Sequence, residues 1–190
     1  MKKILRLFLP QWTINYFFHL PKAILANILY GFPSKKIKVI GVTGTDGKTT
    51  TVNMIYQILK SAGKKVSMVS TINAMIAGKS YETGFHVTSP NPLMVQKFAR
   101  LALDHEDEYL ILEVTSHGLN QFRFWGVKFE VGVITNITHE HLDYHKTFDN
   151  YMRLKLKLLE NVNWAIINQN LNRYIKRTDQ LLSRLITFGL

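Results

Sequence analysis

The stretch GVTGTDGKTTT, residues Gly41 to Thr51, follows the apolar run IKVI and combines glycines and threonines with a single lysine. Glycines let backbone N–H groups approach an anion, a lysine adds a compact positive charge, and a hydroxyl group reaches the Mg²⁺ that accompanies a nucleotide. A strict P-loop has a glycine five residues before the glycine of its Gly-Lys pair, and here Val42 occupies that position. The stretch therefore predicts a phosphate-binding turn of modified spacing, and the alternative interpretation is a glycine-rich turn without a ligand.

Strand-like and helix-like patterns alternate around this stretch, from residue 37 to the end of the chain. Strands are predicted at residues 37–42, 65–71, 108–114, 129–136, 163–168 and 185–189, and helices at 48–62, 92–105, 147–160 and 171–184. Residues 78–84, GKSYETG, are predicted to form a turn-rich insert. The apolar face of the first of these helices is predicted to contain Val52, Ile55, Ile58 and Leu59.

Short apolar runs between helices are typical of a parallel sheet that helices cover on both faces. The predicted fold class is therefore a doubly wound, mostly parallel α/β domain with a P-loop, spanning residues 37–190. Domains of this kind bind ligands at the carboxyl ends of their strands. Residues 1–36 are predicted to form a short helical extension in front of this domain.

Composition limits the classes of protein to be considered. A chain of 190 residues with 46% hydrophobic content can bury one good core, so it is not a two-domain enzyme of ordinary size. The chain has no cysteine, which excludes disulfides, thiolate metal sites and cysteine nucleophiles. The net charge of +11 favours anionic partners without choosing among nucleotides, nucleic acid and acidic lipid.

The N-terminal extension is basic and apolar. Residues 1–45 contain seven lysines and arginines and no acidic residue. Arg6, Pro10, Lys22 and other polar residues interrupt the apolar stretch, so we expect neither a transmembrane helix nor a signal peptide. Two interpretations remain for residues 1–36: packing on the domain or on a partner, which we favour, and peripheral contact with a membrane surface.

Polar residues follow the predicted strands where a ligand is expected. Glu113 ends the apolar run EYLILEV, and an acid in that position suits a Mg²⁺ ligand beside a P-loop. The stretch HEHLDYH, residues 139–145, resembles the H-x-H-x-D-H cluster of metal-dependent hydrolases, but Tyr144 stands where that motif has histidine. A zinc hydrolase is therefore an alternative function, although such an enzyme needs no phosphate-binding loop.

Four motifs together resemble the central ATP-binding domain of the Mur ligases. In chain order they are GTDGKTTT, TSP, EVTSHGLNQFR and TNITHEHLDYHKTFDNYMRLK. They are most similar to the members that add the third residue of the peptidoglycan stem peptide. The loop of this family is G-T-x-G-K-[ST], which accounts for Val42, while Thr49 and Thr50 favour the Mur branch over the related folylpolyglutamate synthetases. Asp46 replaces a more usual asparagine, and Glu140 a more usual aspartate.

This resemblance implies a role for several residues. The implied nucleotide-binding residues are Gly44, Thr45, Asp46, Gly47, Lys48, Thr49, Thr50 and Asn168. The implied Mg²⁺ ligands are Thr49 and Glu113 for a first ion, with His141 and a carbamylated Lys155 for a second. Lys48, His141 and Lys155 are the implied catalytic residues. The implied contacts to the substrate are Thr88, Ser89, Thr115, Gln121 and Arg123.

The resemblance also implies a reaction and its partners. The reaction is ATP- and Mg²⁺-dependent amide formation between a UDP-N-acetylmuramoyl peptide and an amino acid, in the cytoplasm. Full ligases of this kind have an N-terminal uridine-binding domain and a C-terminal domain that binds the amino acid. Because this chain has only residues 1–36 before the central domain and stops at TFGL, we expect it to be inactive in isolation. A nucleotide-binding module without catalysis is a further alternative, and we expect no nucleic-acid partner.

Overall fold

The computed structural model describes residues 10–83, 89–138, 147–175 and 184–189. The strands are β1 (Lys38–Thr43), β2 (Val66–Val69), β3 (Asn73–Ile76), β4 (Lys79–Glu82), β5 (Tyr109–Glu113), β6 (Phe129–Ile134), β7 (Trp164–Asn168) and β8 (Leu185–Phe188). The α-helices are α1 (Gln11–Ile14), α2 (Leu20–Tyr30), α3 (Lys48–Ser61), α4 (Pro92–Asp104), α5 (Ser116–Asn120), α6 (Phe148–Leu156) and α7 (Asn172–Ile175).

The strands form one sheet in the order β4-β3-β2-β5-β1-β6-β7-β8. Pairing is parallel from β2 to β8 across the sheet, and only β3 and β4 run antiparallel to their neighbours. The chain leaves β1 in one direction towards β2 and later crosses to β6 on the other side of β1. Because ligands of doubly wound sheets bind where the strand order reverses, the carboxyl end of β1 is the expected site. The predicted fold class is confirmed.

Apolar side chains of the central strands point alternately to the two faces of the sheet. Leu110 and Leu112 of β5 pack in a cluster with α4, whereas Ile111 between them packs in a cluster with α3. This alternation is the period of two that an extended strand imposes. A third cluster, around Ile134 and Ile167, lies towards the β7 side. The sheet is therefore covered on both faces, as expected for buried parallel strands.

The structure corrects two sequence predictions. Residues 78–84 were expected to form a turn-rich insert, but β3 and β4 make an antiparallel hairpin that places Lys79–Glu82 at the sheet edge. Ile58 was expected on the buried face of α3, but it is 64% exposed, and Tyr56 is buried in that cluster instead. Of the helix predicted at 171–184, the structure shows α7, while residues 176–183 lie outside the described residues.

We call the N-terminal extension, residues 1–36, the arm. Its described part, residues 10–36, is largely helical and packs on the domain. Its helices α1 and α2 flank a π-helical turn at Asn15–His19, which precedes Pro21, a residue without a backbone N–H. Helix α2 packs against α4. The Nδ2 of Asn27 donates to the carbonyl of Trp125 (2.7 Å), and the ring of Tyr16 meets that of Phe122 edge-on at 5.2 Å.

The two edges of the sheet differ in character. On β4 the exposed side chains include Lys79 and Glu82, whereas Leu185, Ile186 and Phe188 of β8 are all exposed. In the part of the chain that the structure describes, no helix has the length and hydrophobicity needed to cross a membrane.

Candidate functional site

The glycine-rich stretch forms the connection between β1 and α3. Strand β1 ends at Thr43, and α3 begins at Lys48 after Gly47, whose φ of +74° lies in the left-handed region that glycine tolerates. No side chain caps the start of α3. The first N–H groups of a helix have no partner within the helix, and the helix dipole adds a partial positive charge there. The loop thus presents an anion-binding helix terminus at the carboxyl end of the central strand.

Neighbouring residues of the β6 loop fix the shape of this turn. The side-chain oxygen of Asn136 accepts hydrogen bonds from the N–H groups of Thr45 (3.0 Å) and Asp46 (2.8 Å). The hydroxyl of Thr135 donates to the carbonyl of Asp46 at 2.7 Å. At Gly44 a Cβ atom would lie 1.8 Å from the Thr135 hydroxyl, so only glycine fits there. These contacts fix the conformation of the loop.

A cleft of about 650 Å³ opens above the loop. Its lining combines the predicted nucleotide-binding residues of the loop with residues from β5, its following helix and α6. The lining residues are Gly44, Thr45, Asp46, Gly47, Lys48, Thr49, Thr50, Thr71, Glu113, Thr115, Ser116, His117, Tyr151 and Lys155. The structure therefore brings together the loop, Glu113, Thr115 and Lys155, which are distant in the sequence.

Glu113 lies at the centre of the polar contacts on one wall of this cleft. Its carboxylate accepts hydrogen bonds from the Thr49 hydroxyl (2.9 Å), the Thr71 N–H (3.0 Å) and the Thr71 hydroxyl (3.2 Å). The residue is only 3% exposed. Oxygen atoms from a carboxylate and a hydroxyl group are the donors that Mg²⁺ prefers. The pair of Thr49 and Glu113 therefore fits the magnesium site that the sequence predicted.

Two lysines donate to consecutive carbonyl groups of the loop. The Nζ of Lys48 lies 2.6 Å from the carbonyl oxygen of Thr45, and the Nζ of Lys155 lies 2.5 Å from that of Gly44. Lys155 is almost completely buried (1% exposed), and its ammonium group stands 4.5 Å from the ring centre of Tyr151. The Tyr151 hydroxyl in turn lies 3.2 Å from that of Thr45. Helix α6 is thus bonded directly to the glycine-rich loop.

The predicted substrate residues form a hydrogen-bonded group beside the cleft. The hydroxyls of Ser89 and Thr115 lie 2.9 Å apart, and Arg123 donates to the carbonyl of Ser89. The guanidinium of Arg123 also donates to the side-chain oxygen of Gln121, at 2.7 and 3.0 Å. Of this group, Thr115 lines the cleft itself. The structure thus joins four of the five predicted residues into one network.

The remaining predicted residues lie apart from the cleft or outside the described chain. Asn168 ends β7, two strands away from β1, where its side-chain oxygen accepts from the N–H of Asn170 (3.0 Å). Thr88 and His141 lie outside the described residues, as does the whole HEHLDYH stretch. Among the residues that are described, no cluster of histidine, aspartate and glutamate side chains is suited to a metal ion.

Sequence reasoning missed several residues of the site. Thr71 and Asn136 are the second residues after β2 and β6, so their position close to a strand end was the available signal. Tyr151 offered no such signal, because its contact with Thr45 depends on how α6 packs on the sheet. Ser116 and His117, which line the cleft at the start of α5, were part of a quoted motif but had no assigned role.

Comparisons with known proteins agree with this geometry. The family model of the Mur ligase middle domain matches residues 42–190. The UDP-N-acetylmuramoyl-L-alanyl-D-glutamate–2,6-diaminopimelate ligase of Clostridium botulinum is 42% identical over 167 residues, which cover 88% of this chain and 34% of that protein. The ligase of the same name from Geobacillus thermodenitrificans is 41% identical over 133 residues, or 70% of this chain and 27% of that protein. The chain spans about a third of the length of these curated relatives.

Solved structures show the same fold. A diaminopimelate ligase structure aligns with a TM-score of 0.64 at 24% identity, covering 80% of this chain and 31% of that chain. MurF ligase from Thermotoga maritima in complex with ADP aligns with a TM-score of 0.57 at 19% identity, covering 85% of this chain and 35% of that chain. Folylpolyglutamate synthase from Mycobacterium tuberculosis, complexed with ADP and AMPPCP, aligns with a TM-score of 0.71 at 14% identity, covering 88% of this chain and 46% of that chain.

The fold alone does not distinguish a Mur ligase from a folylpolyglutamate synthase, because the TM-score to the folylpolyglutamate synthase is at least as high as that to the diaminopimelate ligase. The sequence identity to the curated relatives does separate them, as the threonines after Lys48 had indicated. From the loop, the cleft and the match over residues 42–190, it follows that this chain belongs to the Mur ligase middle-domain family.

Proposed function

We propose that this chain is the ATP-binding part of an amide-bond ligase in peptidoglycan precursor synthesis. The observation that carries the proposal is the cleft in which the glycine-rich loop and Lys48 face Thr49 and Glu113. Related structures of the same fold are complexes with ADP, which supports nucleotide binding by a domain of this fold. Residues 37–190 would form the nucleotide-binding domain, with the arm as its extension.

The proposed reaction has two steps. A carboxylate oxygen of the UDP-muramoyl peptide attacks the γ-phosphorus of ATP, which forms an acyl phosphate and releases ADP. The amine of the incoming amino acid then attacks the acyl carbon, forming the amide and releasing phosphate and a proton. The first step brings a carboxylate against a triphosphate, so positive charge and hydrogen-bond donors must offset their repulsion.

The residues of the loop supply part of that compensation. Lys48 would exchange its bond to the Thr45 carbonyl for the β- and γ-phosphates, while the N–H groups at the start of α3 bind phosphate oxygens. Thr49 and Glu113 would hold Mg²⁺, and this ion, when bound, neutralises charge on the phosphates. No side chain of the protein acts as a nucleophile.

Other residues have proposed roles at the edges of the cleft. Ser89, Thr115, Gln121 and Arg123 would orient the muramoyl peptide, with Thr88 beside them. Asn168 would approach the adenine. Lys155, as a carbamate, and His141 would hold a second Mg²⁺. The UDP-muramoyl peptide and the amino acid are proposed substrates, and the resemblance to the Mur ligases implies that separate N- and C-terminal domains supply further contacts to them.

Calorimetric titration of Lys48→Ala tests the nucleotide site. We expect the variant to lose at least about tenfold in Mg-ATP affinity, or about 1.4 kcal/mol, because the loop then lacks its point charge. Lys60→Ala is the matched control, since Lys60 lies in the same helix at the opposite end and packs on Tyr56. Undiminished affinity of Lys48→Ala, or an equal loss in both variants, would contradict the assignment of the loop.

A further inference from the structure

The arm shows an unusual distribution of side chains. The face of the arm that meets the protein is small or polar and contains Asn15, Ala23, Ala26 and Asn27, all buried. The opposite face is apolar and exposed. This outer face consists of Phe17 (75% exposed), Phe18 (56%), Leu25 (62%), Ile28 (62%) and Leu29 (65%).

This arrangement is the reverse of that of a helix on the surface of a water-soluble protein. Such a helix buries its large apolar stripe and exposes its polar side. Phe17, Leu25 and Ile28 are spaced by eight and three residues, so they share one side of the helix, and Phe18 and Leu29 lie next to them. Helix α2 is attached through its polar side, because the Nδ2 of Asn27 donates to the Trp125 carbonyl of the domain (2.7 Å). Its other bond, to the Ala23 carbonyl (2.9 Å), stays within α2.

Aromatic and basic residues surround the outer face and indicate which kind of surface it would contact. Trp12 and Tyr16, at the N-terminal end, are 62% and 55% exposed, and such residues are enriched at membrane–water interfaces. Lys22 borders the outer face, and the exposed Lys35 and Lys36 follow α2. Seven lysines and arginines and no acidic residue occur in residues 1–45. Basic segments gain affinity from the negative surface potential of anionic lipids.

We propose that the outer face of the arm docks on an anionic lipid bilayer surface. The arm would lie in the plane of the interface, with its apolar side chains among the acyl chains and its lysines at the headgroups. A second copy of the chain is a poorer occupant, because a symmetric contact through the same face would bring two cationic segments together. The proposal does not depend on the ligase activity proposed above.

Flotation with lipid vesicles tests this surface. The 190-residue chain is mixed with vesicles of phosphatidylcholine and phosphatidylglycerol, or of phosphatidylcholine alone, and the bound fraction is measured. We expect binding to the anionic vesicles and weaker binding to the neutral ones. The variant Phe17→Gln/Leu25→Gln/Ile28→Gln should lower the partition coefficient at least about tenfold, because three apolar side chains no longer enter the bilayer.

The matched control is Met54→Gln/Ile58→Gln, which changes two apolar side chains of α3 that are 59% and 64% exposed. This control should bind vesicles as the unaltered chain does, and both variants should keep its unfolding temperature because the substituted residues are exposed. As a second measurement, Trp12 fluorescence in a Trp125→Phe/Trp164→Phe background should shift to the blue on anionic vesicles.

Three results would overturn the proposal. The first is the absence of flotation with anionic vesicles at low salt. The second is equal binding by the triple variant, which would mean that charge alone acts. The third is a concentration-dependent dimer that the triple variant abolishes while no vesicle binding occurs, which would make a second copy the occupant of the outer face.

Discussion

Glu113 combines a buried position with three hydrogen bonds from Thr49 and Thr71, and its charge is the feature that a Mg²⁺ site requires. Glu113→Gln keeps the shape of the side chain and removes that charge. We expect the gain in ATP affinity on adding Mg²⁺ to shrink at least about tenfold, whereas affinity measured in EDTA should change little.

Glu160→Gln is the control for this titration, since Glu160 is an exposed carboxylate at the end of the helical segment that follows α6. If Glu113→Gln retains the full Mg²⁺ dependence, the ion is held by other groups. Loss of affinity in EDTA as well would point to a structural role for Glu113 in the hydrogen bonds to Thr71.

Lys155 is proposed to carry a carbamate, and this modification can be tested. In the ligase completed with a C-terminal domain, we expect Lys155→Ala to lower turnover at least ~100-fold, on the order of 2.7 kcal/mol of transition-state stabilisation. The exposed Lys157 is the control, and Lys157→Ala should change turnover little.

Turnover alone does not separate a carbamate from a lysine that positions the loop, because the Nζ of Lys155 contacts the Gly44 carbonyl. The distinguishing measurement is a carbamate signal in the ¹³C NMR spectrum of the protein in labelled bicarbonate, absent in Lys155→Ala. Equal turnover of the two variants across Mg²⁺ and bicarbonate concentrations would make Lys155 a residue without a role in the reaction.

The residues of the cleft were predictable to different degrees. Lys48 and Thr49 at the start of α3, and Glu113 as the last residue of β5, occupy positions that indicate their chemistry. Asn136 and Thr71 reach the site because their strands lie beside β1 and β5. Strand order and register place them there, and neither can be read from the sequence. Lys155 was chosen by resemblance, and its contact with Gly44 could be seen only in three dimensions.

The attachment of α2 to the turn of residues 121–126 makes a prediction about stability. Gly126 has φ +76°, and a Cβ atom there would lie 2.5 Å from the side-chain oxygen of the buried Asn27. Gly126→Ala should therefore destabilise the protein by about 2–4 kcal/mol in urea unfolding, combining backbone strain with a clash that α2 must move to relieve.

Gly63→Ala isolates the backbone part of this effect. Gly63 has nearly the same φ, +74°, but no atom lies within 4 Å of the position of its Cβ. We expect Gly63→Ala to cost about 1 kcal/mol. Similar losses of stability in the two variants would mean that the Asn27 side chain moves away from the new methyl group at little cost, against our expectation.

Sequence patterns predicted most helices and strands because buried parallel strands and amphipathic helices carry strong periodicity. The hairpin of β3 and β4 escaped because its strands are four residues each and the second is largely exposed, so neither produces a clear pattern. Ile58 was assigned to the buried face of α3 because it is apolar, although it lies six residues after the buried Val52. Tyr56 lies four residues after Val52, which places it on the same side of the helix, and it is buried there.

The chain covers about a third of the length of its curated relatives. We expect the 190-residue chain assayed alone to bind Mg-ATP but to form no tripeptide product, because the resemblance to the Mur ligases implies that a separate C-terminal domain binds the amino acid. Mass spectrometry of a reaction with UDP-muramoyl dipeptide, ATP and diaminopimelate measures this directly.

The control for that assay is the same mixture supplemented with a C-terminal ligase domain. Product from the 190-residue chain alone would contradict the expectation. Nucleotide binding without product even after the domain is added would favour the alternative of a module that binds nucleotide without catalysis.

The edge strand β8 has a consequence for how the molecule behaves when concentrated. Exposed Leu185, Ile186 and Phe188 lie on β8, which among the described residues pairs on one side only, with β7, and an edge strand of this kind is a template for ordered aggregation. The net charge of +11 keeps copies apart, but salt shortens the range of that repulsion. Colloidal stability of the chain should thus decline as ionic strength rises, with β8 as the point of self-association.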